Sequence, residues 1–342
     1  MKTEYITINA DNFSLEQLSK AGEIIRAGGL VAFPTETVYG LGADATNVHA
    51  AEKIYFAKGR PSNNPLIVHI SKPSDAETYV YTDERYYKIA NAFMPGPITV
   101  IMKSKGMVSD NVCAGLDTLA LRCPSNIIAR ALIEESGRPI AAPSANTSGR
   151  PSPTSAAHVK HDLDGKVNMI IDGGECEVGL ESTIVKLEED KVILLRPGGV
   201  TYEMLTSLLG DVEIAKGVLE RPGENDKIES PGMLISHYAP KAPFFLVKGK
   251  DERVHNFLKE KLEEPGVYVL AHDSIFNENT NIISLGRESD AEDAAKRLFS
   301  ALREADSLGA ERIYAKYPDK SGIGLALLNR MLRASAFRII EM

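Results

Sequence analysis

Lys58-Gly59-Arg60-Pro61, followed at once by Asn64-Pro65-Leu66-Ile67-Val68-His69, sets two cations and a histidine around a short apolar run. Further along, Ser144-Ala145-Asn146-Thr147-Ser148-Gly149 places hydroxyls and an amide after Pro139-Ile140-Ala141-Ala142-Pro143. Such groups suit a polyphosphate and a small polar substrate, because cations and hydroxyls together bind anionic oxygens. Arg196 ends the apolar run Val192–Leu195 just before Pro197-Gly198-Gly199, and strand ends beside glycine turns are where open sheets bind ligands. Arg122 closes Leu119-Ala120-Leu121, so its planar fork can take a carboxylate through two parallel hydrogen bonds.

Each of these groups has a structural alternative. Lys58 and Arg60 read equally well as solvated cations completing a helix C-terminus. Arg122 can form an ion pair with one of the 47 acidic residues. His69, surrounded by Leu66, Ile67, Val68 and Ile70, reads more readily as a buried structural histidine. Ser144, Asn146 and Ser148 commonly make local turns, and Gly179-Leu180-Glu181-Ser182-Thr183 is either a turn into a strand or a hydroxyl presented to substrate.

The elements that must position these residues follow from periodicity. Ser14 with Gln17 three residues on, then Leu15, Leu18, Ile24 and Ile25 up to Gly28-Gly29, predicts a first helix with both ends marked. Leu30–Pro34 reads as a buried strand, and Thr35–Gly40 as a polar loop. Helices fit 48–57, 83–93 and 125–136; strands fit 65–70, 97–103, 118–123, 139–143, 169–172, 182–188 and 191–196. This pattern predicts a mixed, twisted sheet with helices packed on it. Neither G-x-G-x-x-G nor G-x-x-x-x-G-K-[ST] occurs, so a nucleotide needs another device.

From about residue 211 the periodicity weakens through Arg221–Asp226 and Ser230–Pro240, which reads as an extended linker. Beyond it, strands at 244–247, 267–270, 282–285 and 312–315 alternate with helices at 251–262, 290–307 and 324–335, a small parallel α/β domain. Gly249, Gly286 and Gly322-Ile323-Gly324 lie at its strand-to-helix junctions and read chiefly as turn residues, with a structural or regulatory role expected for the domain.

At 342 residues, 43% hydrophobic and 25% charged, the chain has globular composition and enough length for two cores. Its net charge of −8 disfavours a broad face wrapping nucleic acid. Charges within the first twenty residues exclude a signal-peptide core, and no apolar run is long enough to cross a bilayer, so a soluble, cytoplasmic protein is expected. Cys113, Cys123 and Cys176 lack metal-ligand spacing and are expected as free thiols.

In order, Pro34-Thr35-Glu36-Thr37-Val38-Tyr39-Gly40-Leu41, Lys58-Gly59-Arg60-Pro61, Asn64–His69, Pro95-Gly96-Pro97-Ile98-Thr99, Leu121-Arg122-Cys123-Pro124, Ala142-Pro143-Ser144-Ala145-Asn146-x-Ser148-Gly149, Gly179–Ile184 and Leu195-Arg196-Pro197-Gly198 resemble the YrdC-like threonylcarbamoyl-AMP synthase family over residues 10–205. Ser230–Pro240 and the α/β tail resemble its longer, two-domain form. That resemblance implies a YrdC-like twisted mixed sheet with helices over 1–210, an extended linker covering the active site over 211–243, and a small Rossmann-like parallel α/β domain over 244–342.

The resemblance further implies the reaction of L-threonine, bicarbonate and ATP to threonylcarbamoyl-AMP and pyrophosphate, toward threonylcarbamoyladenosine next to the tRNA anticodon. By motif, Thr35, His69, Arg122, Ala142 and Ser182 would surround L-threonine. Lys58, Arg60, Ser62, Thr118, Ser144, Asn146, Ser152 and Arg196 would surround ATP, brought with Mg2+. Of these, Lys58, Arg60, Ser144 and Asn146 would act in catalysis, and His237 and Tyr238 would cover the cavity. A separate transferase complex would carry the group to tRNA, so stable tRNA binding and a membrane are not expected. Two rival readings are a carbamoyl-phosphate-dependent adenylation, disfavoured by the missing zinc-finger and acylphosphatase-like segments, and a non-catalytic RNA-binding module.

Overall fold

The computed structural model describes residues 1–221, 223, 230–231, 237–273, 281–287 and 290–342. The remaining positions, which include much of the 211–243 segment expected as linker, lie outside the described residues.

The first domain is built on eleven strands: β1 (Glu4–Thr7), β2 (Val31–Phe33), β3 (Gly40–Asp44), β4 (Ile67–His69), β5 (Ile98–Lys103), β6 (Thr118–Arg122), β7 (Ile140–Ala141), β8 (Met169–Asp172), β9 (Thr183–Leu187), β10 (Val192–Arg196) and β11 (Glu213–Ile214). They form one sheet in the order β1-β8-β2-β3-β7-β4-β6-β5-β9-β10-β11, with parallel and antiparallel pairs mixed as the alternation predicts. The helices are α1 (Ser19–Arg26), α2 (Val48–Lys58), α3 (Ala76–Tyr79), α4 (Glu84–Phe93), α5 (Asp110–Cys113), α6 (Ile127–Ser136), α7 (Ala156–Leu163) and α8 (Tyr202–Leu209). Apolar clusters fill both faces of the sheet, one around Ile54, Val68 and Leu121 and the other around Ile25, Phe33 and Leu132.

Local sequence explains the element ends that matter for function. The Asn47 side chain caps α2 by accepting from the amides of His49 and Ala50. Gly59, at φ 63°, ends that helix in the left-handed conformation glycine tolerates best, and the chain turns inward at Arg60. The first helix departs from expectation, since it opens as a 3-10 turn over Leu15–Leu18 before α1 begins.

Two further differences concern strands. Gly40–Asp44 is a fully buried strand, although Gly-Leu-Gly-Ala-Asp lacks the β-branched residues that mark one. The 211–243 segment starts inside the sheet: Val212 is buried and Glu213–Ile214 pairs in parallel with β10. Cys113, Cys123 and Cys176 are free and buried.

The second domain runs β12 (Phe244–Lys248), α9 (Asp251–Lys261), β13 (Val267–Ala271), β14 (Ile282–Ser284), α10 (Ala291–Ser307), β15 (Arg312–Lys316), α11 (Gly324–Ala334) and β16 (Ile339–Glu341), with β16 added to the predicted set. Its strands are all parallel, in the order β14-β13-β15-β12-β16. The domains are docked by polar contacts: Arg303 with Asp162 at 2.8 Å and with the Pro151 carbonyl at 2.6 Å, Arg150 with Asp306 at 2.5 Å, and the Asn329 amide with the Val218 carbonyl at 2.7 Å. Val38, Leu180 and Tyr238 join the apolar core beneath α10 and α11.

Gly42 lies where a Cβ would sit 2.7 Å from both Phe33 and Ile140. Gly42→Ala is therefore expected to destabilise the protein by about 1–3 kcal/mol through overpacking, read as a lowered urea midpoint; an unchanged midpoint would show that β2 and β7 can spread.

Candidate active site

Register brings the chemical groups together. In the parallel pair β4·β6, His69 lies opposite Arg122, and in the antiparallel pair β4·β7 it lies opposite Ile140. An isolated bridge between Gly40 and Ser144 closes the next position. These strand ends open into a cavity lined by Thr35, Arg60, His69, Arg122, Ala142, Ser144 and Arg196, together with His237 and Tyr238. Nine of the residues singled out from the sequence thus share one wall system. Val38, Tyr39, Glu181 and Pro231 complete much of the rest.

The cavity's defining property is buried positive charge. Arg60 spends its guanidinium on the carbonyls of Asn64 and Pro65 (3.0–3.4 Å), and Arg196 on the carbonyl and hydroxyl of Ser182 and the carbonyl of Pro231 (3.0–3.2 Å). Among the described residues neither makes an ion pair. Burial pulls both down to about 10, which leaves them charged at neutral pH. Cations desolvated without acidic partners form a preorganised site for an anion. Behind Arg60, outside the cavity lining, both polar atoms of the Asn64 side chain are buried and lack partners among the described residues.

Arg122 is different, because Glu36 holds it at 2.7 Å with both side chains buried. Its Nη2 also reaches the Thr35 hydroxyl at 3.4 Å, while its Nε is buried and unpartnered. The structural alternative of an ion pair and the reading of a donor facing the cavity therefore coexist in one side chain. Thr35 is fixed by donating to the Val38 carbonyl at 2.6 Å. His69 is pushed down to about 3 by burial and by Arg122, so its ring is neutral across the physiological range.

Other residues singled out from the sequence lie outside the cavity wall. The Lys58 ammonium, buried rather than solvated, donates to the carbonyls of Ser144 and Asn146, each at 2.5 Å, and tethers the Ser144–Asn146 loop. Burial first, then Arg60, hold its pKa well below the usual lysine range. The Asn146 side chain is used on the carbonyls of Thr147 and Arg150. Ser182 bonds Thr99 and Arg196, Ser152 donates to Glu181, Ser62 is exposed, and Thr118 pairs with Lys103 on the neighbouring strand.

Sequence reasoning gave no role to Glu36, Asn64, Glu181 or Arg330. Acid signals such as Glu36 in Thr-Glu-Thr and Glu181 in Leu-Glu-Ser were visible, but their arginine partners lie 86 and 149 residues away. Burial works against charge on Glu181, yet Arg330, Arg196 and the Ser152 hydroxyl outweigh it and hold its carboxyl below the usual range.

His237 and Tyr238 line the cavity beside Pro231. Tyr238 adopts φ +65°, a conformation costing roughly 1 kcal/mol or more for a non-glycine residue. It is held there between the His237 ring at 4.1 Å, the Phe299 ring at 5.1 Å and the Arg330 guanidinium at 5.8 Å. The free volume between these side chains is about 40 Å³, room for a water or two.

Two family models match the chain, one described as "Telomere recombination" over residues 23–198 and one as "Threonylcarbamoyl-AMP synthase, C-terminal domain" over residues 200–336. Proteins named threonylcarbamoyl-AMP synthase from Bacillus subtilis and Pyrococcus abyssi are each 43% identical, over 95% and 94% of this chain and 94% of their own lengths. The crystal structure of P. abyssi Sua5 complexed with L-threonine superposes with a TM-score of 0.92 at 40% identity, covering 100% of both chains.

The buried histidines make stability pH-dependent. His69 and His237 fall from 6.5 to about 3, each chiefly through burial. Between about pH 3 and 6.5 the unfolded chain then binds more protons than the folded one, so stability is lost as pH falls through that window. His69→Gln and His237→Gln are each expected to flatten the fall in unfolding free energy between pH 6 and 4 by up to ~1.4 kcal/mol per pH unit. Parallel urea titrations check this, and an unchanged slope would show that the rings charge without unfolding.

Proposed function

This chain belongs to the two-domain threonylcarbamoyl-AMP synthase family, and from that premise we infer how its residues divide the work of joining L-threonine, bicarbonate and ATP into threonylcarbamoyl-AMP and pyrophosphate. The observation that carries the division is the pair of buried guanidiniums, Arg60 and Arg196, without acidic partners beside a third, Arg122, that Glu36 already balances. Unbalanced charge suits a polyanion. A balanced arginine with a spare Nε suits the single carboxylate of an amino acid.

On this reading L-threonine lies against Thr35, His69, Arg122 and Ala142, its carboxylate on Arg122. Neutral His69 hydrogen-bonds without adding charge, which leaves the substrate amine free to lose its proton. ATP lies along Arg60, Asn64, Ser144 and Arg196. Lys58 supports it indirectly by holding the Ser144–Asn146 carbonyls inward. Among the described residues no cluster of three metal-ligating side chains is present, so magnesium is proposed to enter as the ATP complex, held by phosphate oxygens.

The amine adds to bicarbonate with loss of water, giving an N-carboxylate. One of its oxygens then attacks the α-phosphorus, and the bond to pyrophosphate breaks. Each step brings anions together, and fixed guanidiniums aimed at the developing charge are worth a few kcal/mol apiece in a dry site. His237 and Tyr238 exclude water from the mixed anhydride once the substrates are bound. With the free volume at about 40 Å³, His237 and Tyr238 are proposed to move outward when ATP enters.

The product is proposed to pass to a separate tRNA-modifying transferase in the cytoplasm. Among the described residues no helix is long and apolar enough to cross a membrane. Pyrophosphate release is expected only when ATP, L-threonine and bicarbonate are all present; release without threonine, or none with all three, sinks the reading. Arg122→Ala is expected to raise the threonine KM at least about thirtyfold, with a much smaller change for ATP. An unaltered threonine response removes the carboxylate role.

A further inference from the structure

The Arg330 side chain, on α11 of the second domain, is wholly buried against the first. Its Nε donates to Glu181 Oε2 at 2.7 Å, its Nη2 to the Glu181 main-chain carbonyl at 3.1 Å, and its Nη1 to Asn329 Oδ1 at 2.7 Å. The other Glu181 oxygen accepts from Ser152. The loop carrying Glu181 is also clamped from α10: a Cβ on Gly179 would lie 2.4 Å from the Lys296 backbone.

Glu181 lines the same cavity as Arg196, and the adjacent Ser182 is what Arg196 grips, through its carbonyl at 3.0 Å and its hydroxyl at 3.1 Å. Glu181 and Arg196 attract each other electrostatically, yet no hydrogen bond joins them among the described residues. In a buried pocket a carboxylate released from its partner is drawn towards a guanidinium lining the same cavity, because low dielectric strengthens their attraction. The collapsed pair would cancel the positive charge that an anionic substrate needs.

We propose that Arg330 is a positioning residue for nucleotide binding: by engaging Glu181 from the second domain, it keeps this carboxylate off Arg196 and leaves that guanidinium to the phosphates of ATP. The inference rests on the reading of Arg196 as a phosphate ligand. It gives the second domain a direct part in the affinity of the first domain's site, through one charge pair rather than through shape alone. A purely mechanical brace would leave a different signature. Losing a brace harms the site whatever charge Glu181 carries, whereas losing a sequestering partner harms it only while Glu181 is an acid.

The test compares KM for ATP and for threonine in the full-length chain and in R330Q, R330K, R330Q/E181Q and R196M. R330Q is expected to raise the ATP KM at least about tenfold, with threonine changed less than about threefold. R330K, which keeps the charge, is expected to stay between the two. Adding E181Q to R330Q is expected to restore the ATP KM to within about threefold of the parent, a non-additive rescue. A double variant as impaired as R330Q, or an R330Q whose ATP KM is unchanged, overturns the proposal. Should R330Q fail to fold, the double variant, which buries a neutral pair, decides alone: a tenfold rise in its ATP KM overturns the proposal, and a near-parental value supports it. R196M separates the premise from the inference, since an unchanged ATP KM there removes the phosphate reading itself.

Discussion

Like charge held together away from water is the constraint on which the rest of this molecule depends. Arg60, Arg122 and Arg196 are buried along one small cavity, and Lys58 is buried beneath the Ser144–Asn146 loop that it tethers. Desolvating a cation costs several kcal/mol unless something answers it. Here the answers are mostly neutral oxygens: carbonyls of Ser144 and Asn146 for Lys58, of Asn64 and Pro65 for Arg60, of Ser182 and Pro231 for Arg196. Carbonyl dipoles make the burial tolerable without cancelling the charge, so the field survives for a substrate. Carboxylates in those places would have neutralised that field.

That constraint explains the strand pattern. Carbonyls can converge on a side chain only where the backbone leaves regular pairing, and short strands ending at Pro and Gly supply such places. β4 and β7 have three and two residues, and both stop at the cavity. Gly59 releases Arg60 from α2 beside it, and Arg196 is the last residue of β10, just past a register shift in its pairing with β9. The mixed parallel and antiparallel order then brings ends of strands distant in sequence into one place, as in the opposition of His69 to Arg122.

What was legible in the sequence follows the same division. Strands such as Ile98–Lys103 and Val192–Arg196 announce themselves through apolar β-branched runs, and the motif residues of the cavity announce themselves through their order. Gly40–Asp44 was illegible because its strand role rests on glycines fitting against Phe33 and Ile140, a property of neighbours rather than of the segment. The partners of Glu36 and Glu181 were illegible for a related reason. An acid next to a threonine or serine looks like any surface acid until the fold shows which arginine it meets. Lys58 was read as a possible substrate ligand because charge and position are visible in sequence, whereas the two carbonyls that occupy its ammonium are backbone atoms with no sequence signature.

The small volume of the cavity bears on why a second domain is docked here at all. Tyr238 is held in an unfavourable backbone conformation by Phe299 and Arg330, both from the second domain, and the His237 ring meets it edge-on. Arg196 meanwhile donates to the Pro231 carbonyl, a neutral oxygen. The segment is therefore held by packing on the second domain and by a weak polar contact on the site. On the proposed phosphate role of Arg196, an incoming polyanion competes with that neutral contact and makes a stronger, charge-assisted bond to the same guanidinium. Strain at Tyr238 lowers the cost of leaving, while its aromatic contacts favour return. On the proposed covering role of His237 and Tyr238, a single-domain site with the same cations would leave the mixed anhydride more open to water.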